Sequence, residues 1–204
     1  MSRFRRKEKT SLFSKKNMLG LFIVLIMTMS GIGYMVTQGD STTEEYNGYK
    51  FTSPSYGVWV TKIDGKQARF RYFPGDIDSL PLDSELLDLV KSTKMVYLTY
   101  NPDDEAISEI ELARLDLENQ LPQLLKIYPV TGVTNVTSKY YLYPYIDCQN
   151  ATASVPVIVM KLNKEINESR IGGNSGCILL EAARKEEILL LKDRFVYGLI
   201  GIIK

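Results

Sequence analysis

The chain has 204 residues, 45% of them hydrophobic, with a formal charge of +1 and no histidine. The missing histidine excludes Ser-His-Asp and Cys-His nucleophilic catalysis, imidazole acid–base chemistry and His-ligated zinc or haem. The near-neutral charge hides an asymmetry: Arg3, Arg5, Arg6, Lys7, Lys9, Lys15 and Lys16 stand against Glu8, so the rest of the chain carries about −5 and offers nucleic acid no electrostatic footprint.

Residues 17–39, NMLGLFIVLIMTMSGIGYMVTQG, carry no charge. About 20 apolar helical residues span the hydrocarbon core of a bilayer, and a basic flank marks the side that stays in the cytoplasm. The sequence therefore predicts a basic cytoplasmic tail over 1–16, a transmembrane helix over 17–39, a linker over 40–48 and an extracytoplasmic domain over 49–204. The protein is expected in the cell membrane as a single-pass chain, with the lipid bilayer as its first partner. A cleaved signal peptide is the alternative, with Gly31 and Gly33 offering a poor cut site. The uncharged run is longer than an ordinary signal-peptide core.

Beyond the linker, Tyr49–Phe51, Val58–Ile63 and Lys66–Tyr72 read as antiparallel strands. Asp64-Gly65 supplies the two positive-φ positions that a type I′ hairpin needs. Pro74-Gly75 ends this unit. Residues 83–92 read as a helix capped by Asp83 or Ser84, and 94–100 as a buried strand. From Glu105 to Leu125, Ile107, Ile110, Ala113, Leu117, Leu121 and Leu124 recur at helical spacing, with Pro122 expected to kink or shorten the last turn. Residues 127–130 and 155–160 read as strands, and Gly172–Gly176 as a flexible turn. A strand over 177–180 and a closing helix over 186–203 follow. This order predicts an α/β or α+β domain on a mixed sheet with a leading β hairpin.

Several residues carry candidate chemistry. Cys148 and Cys177 read either as a structural disulfide, natural in an oxidising compartment, or as two buried free thiols. Asn135, Asn150 and Asn167 each begin a glycosylation sequon on the side predicted to be external, making the chain a candidate glycoprotein. Tyr140, Tyr141, Tyr143 and Tyr145 could contact a partner or could pack their own loop. Asp103, Asp104, Glu105, Glu109 and Glu111 suit helix capping and the helix dipole better than a metal site, since their spacing does not match a calcium loop. Gly172–Gly176 has no phosphate-binding pattern, so no cofactor is expected.

Residues 94–204 resemble the thioredoxin-like pattern: strand, long helix, strand, a Val-Pro step into strand 155–160, a partner strand and a last helix. The resemblance makes Pro156 a candidate cis-proline. The reactive Cys-x-x-Cys that should open the long helix is replaced by Asn101-Pro102-Asp103-Asp104. The overall layout also resembles uncharacterised archaeal single-pass membrane proteins. Two functions follow as expectations. The first is a non-catalytic interaction or assembly module on the outer face, meeting other membrane or surface proteins. The second is a degenerate thioredoxin-like protein that holds or exchanges with a client through Cys148 or Cys177.

Overall fold

The computed structural model describes residues 15–36, 42–136 and 142–204, which divide into two units between 41 and 42. The first unit holds α1 (Lys15–Val36). Its described side chains, Met18 to Met29, are all exposed. Among the described residues, no helix is long and apolar enough to cross a membrane. Of the basic tail expected over 1–16, Lys15 and Lys16 begin α1, and 1–14 lie outside the described residues.

The second unit is a mixed α/β domain with two sheets. The first sheet is an antiparallel meander of β1 (Thr42–Tyr46), β2 (Tyr49–Ser55), β3 (Val58–Ile63) and β4 (Lys66–Phe70), in that order. Asp64 and Gly65 have φ of 48° and 79°, as a type I′ turn requires. Asn47 and Gly48 repeat this at 49° and 80°. The stretch expected to be a linker is thus largely a strand and its hairpin turn. Proline cannot donate to a ladder, and beside Pro54 the pairing of β2 with β3 shifts register between Thr52 and Ser55.

A short helix α2 (Pro74–Ile77) follows, then α3 (Ser84–Lys91). The Asp83 carboxylate caps α3 by accepting the Glu85 N–H at 2.9 Å. The second sheet contains β5 (Met95–Tyr100), β6 (Tyr128–Val133), β7 (Val157–Leu162), β8 (Arg170–Asn174) and β9 (Cys177–Ala182). Its order is β6-β5-β7-β9-β8. All neighbours are parallel except β8, which is antiparallel to β9. The expected turn over 172–176 is therefore partly strand. Its actual turn is Ser175-Gly176, again with both φ positive.

Two helices fill the space between the sheets. α4 (Ile107–Leu125) links β5 to β6, and α5 (Glu187–Leu199) closes the fold. Pro122 lies in the last turn of α4 without ending it early. Lys126 then stops the helix in the left-handed region, its N–H reaching the Leu121 and Pro122 carbonyls. α4 meets β6 on one side and β4 on the other. α5 packs on β7 and β9, while its Tyr197 stacks on Phe70 of β4 with ring centroids 4.0 Å apart. Every residue from Leu191 to Leu199 is buried. A helix that is apolar on most of its circumference belongs in such a middle layer.

Candidate interaction surface

The period-two geometry of strands sorts the second sheet into two faces. Val96, Leu98, Tyr100, Ile158, Met160, Ile178 and Leu180 point into the main core with α4 and α5. Their neighbours point the other way, away from α4 and α5. There Ile146, Val157, Val159 and Cys177 make a small second cluster, with Tyr97, Ala151 and Leu179 partly buried against it. Toward β6 this face runs out into solvent: Tyr128 is 61% exposed and Val130 38%. Parallel sheets are ordinarily covered on both faces. Here one face is covered only in part, by the segment 142–156.

The structure brings several sequence-predicted residues together on that segment. Cys148 and Cys177 form a disulfide that ties the short turn Cys148–Asn150 to the start of β9. Asp147 caps the turn, accepting the Gln149 N–H, while Asn150 Oδ1 accepts the Asp147 N–H at 2.9 Å. The Thr99 hydroxyl donates to the Ile146 carbonyl at 2.7 Å, fastening the segment to β5. Gly132 allows its close approach, because a Cβ there would lie 2.6 Å from Ile146 Cδ1.

The tyrosines do not act as one group. Tyr143 is partly buried against the main core. Tyr145 is 55% exposed, and its hydroxyl donates to Asp147 at 2.9 Å. Tyr140 and Tyr141 lie outside the described residues. Asn135, Asn150 and Asn167 are all exposed. Asn135 donates to Asp103 at 2.8 Å. Thr137, which completes its sequon, lies outside the described residues.

Pro156 departs from expectation. No described peptide bond is cis, so the Val155–Pro156 bond is trans. Its surroundings account for this. Thr152 and Val155 exchange backbone hydrogen bonds in a tight turn, and the Pro156 carbonyl then accepts the Tyr97 N–H at 2.9 Å. The chain enters β7 already extended, and the trans isomer is preferred by about 0.5–1 kcal/mol unless the fold demands otherwise.

The crevice beyond the carboxyl ends of β5 and β7 is where open α/β sheets commonly bind ligands. In this chain it is a groove of about 390 Å³ in which several groups are already engaged with one another. Asp104 accepts the Ala106 N–H at 2.8 Å and the Leu162 N–H at 3.1 Å, and Glu105 pairs with Lys164. Asp104 thus ties the loop before α4 to the end of β7, while the helix itself, with Ala106 at its N-cap, has no side-chain cap. A larger groove of about 820 Å³ contains Asn167. Its arginines are internally paired: Arg170 with Glu181 and Arg184 with Glu187.

The accessible members of the open face, exposed Tyr128 and Val130 with half-buried Tyr97 and Leu179, were not singled out by sequence reasoning. Alternation along Met95–Tyr100 hints at two environments. The register that places Val130 beside Tyr97 is a long-range property with no local signal. No protein-family model, no curated protein and no solved structure matches this chain.

Proposed function

We propose that this chain is a membrane-anchored, extracytoplasmic interaction module, and that the open face of the five-stranded sheet docks an apolar surface of a partner protein. The observation that carries the reading is the half-covered parallel sheet: helices occupy one face, while Tyr97, Tyr128, Val130 and Leu179 remain accessible on the other. Aromatic and aliphatic side chains in such a patch mark contact surfaces. Support for the anchor is the uncharged sequence over 17–39 and the exposed apolar side chains from Met18 to Met29. The disulfide fits an oxidising exterior.

The test uses the full chain in native membranes. A photoreactive residue at position 128 should yield one discrete adduct, identified by mass spectrometry and lost when Val130 is changed to Glu. The same probe at exposed Lys62, on the other sheet, should not yield it. Absence of a specific adduct at 128 sinks the docking reading. Release of the chain from membranes by alkaline carbonate sinks the anchor.

A thioredoxin-like exchange role has less behind it. Cys177 is only 5% exposed and packed in the small cluster, where a client thiol has little access to its sulfur. The trans bond at Pro156 departs from what a thioredoxin-like resemblance implies there.

A further inference from the structure

Of the four sheet edges, those of β4 and β6 are partly engaged, while β1 and β8 each pair with one strand only. Along β4, the Gln120 side chain donates to the Arg69 carbonyl at 2.7 Å and Gln123 donates to the Gln67 carbonyl at 3.4 Å. Along β6, Pro129 offers no N–H, and Val133 is paired with the 144–146 segment through bonds to Pro144 and Ile146. β1 differs. It pairs only with β2, and none of its backbone groups has another backbone or side-chain partner among the described residues. The Asn47-Gly48 turn makes Tyr46 and Tyr49 a hydrogen-bonded pair, so alternation leaves the N–H and C=O of Thr43 and Glu45 pointing outward.

Beside this free edge lies a groove of about 780 Å³ between the projecting end of the meander and α5. Trp59 and Tyr72 supply aromatic surface, Glu44 and Asp76 supply carboxylates, and Leu189 supplies an apolar wall. Arg71 also lines it, so acids exceed bases two to one. Glu44 is opposite Phe51 in the ladder, which places it on the inner, groove-facing side. Glu45, and Asp78 bonded to the Tyr46 hydroxyl at 3.0 Å, add negative charge along the edge. Acids on an edge strand oppose pairing with a second copy of the same strand, since antiparallel self-pairing would set Glu44 against Glu44. They favour a strand of opposite charge. A Lys or Arg side chain entering the groove would meet both carboxylates and the ring faces that attract cations.

We propose that β1 is a strand-addition site for an extended, basic segment of a partner protein, with alternate Lys or Arg side chains seated against Trp59, Glu44 and Asp76. Backbone bonds at Thr43 and Glu45 set register, and the groove selects charge. This site is separate from the open face of the five-stranded sheet.

The experiment uses the detergent-solubilised full chain and an acetylated nonapeptide alternating Val and Lys, with a Val/Glu counterpart. Trp59 is the chain's one tryptophan and reports directly. The Lys peptide should shift its emission saturably and slow hydrogen exchange at the Thr43 and Glu45 amides, while the Glu peptide should do neither. Thr43→Pro removes one outward N–H without breaking the ladder and should weaken binding at least tenfold. Glu44→Gln with Asp76→Asn should weaken it at least fivefold. Melting curves of these variants should stay unchanged. Equal binding of the Glu peptide, or exchange at Thr43 and Glu45 unaltered by the Lys peptide, overturns the proposal. So does phosphocholine reproducing the Trp59 shift where the peptide fails, which would make a lipid headgroup the occupant. Val130→Glu should leave peptide binding intact, so failure here and failure of the docking surface are separable.

Discussion

Asp193 on α5 accepts the backbone N–H of Arg71 at 2.6 Å. The same oxygen accepts the Tyr72 N–H at 3.0 Å, so one fully buried carboxylate fastens the end of β4 to the central helix. Burial pushes this carboxyl above its ordinary range, against the pull of the adjacent Lys192 ammonium. Lys192 is itself fully buried, pairs with Asp193 and reaches Asp116 at 3.1 Å.

Asp193→Ala should therefore destabilise the domain by about 3–5 kcal/mol, because it leaves Lys192 buried beside one partner and frees two amides. Lys192→Met combined with Asp193→Asn should cost less than the sum of the two single changes, since the pair acts as a unit. Urea unfolding followed by Trp59 fluorescence measures both. Strict additivity would show that the two charges are independent.

The local turn chemistry was open to reading in advance, and the long-range arrangement was not. Asp64-Gly65 announced its hairpin by residue type alone. Asn47-Gly48 carries the same signal, but the polar run Thr42–Glu45 before it looks like a stalk. β1 is a strand because it pairs with Lys50–Ser53, not because of its side chains. β8 was hidden in the same way: Gly172 and Gly173 weaken any strand signal, yet their backbones pair with Leu179 and Ile178. The apolar positions of the last helix showed that it belonged in a core. They could not show that two sheets would enclose it, nor that Lys192 and Asp193 would be buried with it. The open face depends on where the helices lie, and so on topology rather than on pattern.

Gly132→Ala should detach part of the cover from the open face. The new methyl would meet Ile146 Cδ1, Cβ and Cγ1 at 2.6–2.8 Å, and Ile146 Cβ sits too near its backbone to swing away. Overpacking of this kind costs about 1–3 kcal/mol. Faster hydrogen exchange at the Ile146 amide, which bonds to the Val133 carbonyl at 3.0 Å, would report the displacement. An unchanged exchange rate would mean the site accommodates the methyl.

Removing the disulfide should loosen the same segment from its other end. The bond closes a span of 29 residues. On the chain-entropy account that contributes about 3–4 kcal/mol, so Cys148→Ser with Cys177→Ser should lower Tm by about 10 °C for a domain of this size. Calorimetry of the full chain, with and without reductant, checks it. Reductant should reproduce the shift in the unsubstituted protein and leave the double variant unmoved. A Tm insensitive to both would mean that the bond constrains little.

Glu181 gives the domain a defined acid sensitivity. Its side chain is 4% exposed and pairs with Lys161 at 2.7 Å and Arg170 at 2.6 Å, while Asn163 donates at 3.3 Å. Burial alone would push the carboxyl up. The hydrogen bonds from Lys161, Arg170 and Asn163 outweigh it and hold the group below its ordinary value of 4.5. A carboxyl lowered in the folded state contributes its full stability above the unfolded pKa and loses it as pH falls through the folded one. Glu181→Gln should thus cost about 1–2 kcal/mol at pH 7, a figure discounted for the solvent around both cations. That deficit should shrink as the pH drops below about 4.5, because the parent then loses the same charge. Urea unfolding of parent and variant from pH 7 to pH 3 measures the difference. A deficit that stays constant across that range would place the contribution of Glu181 in packing rather than in its charge.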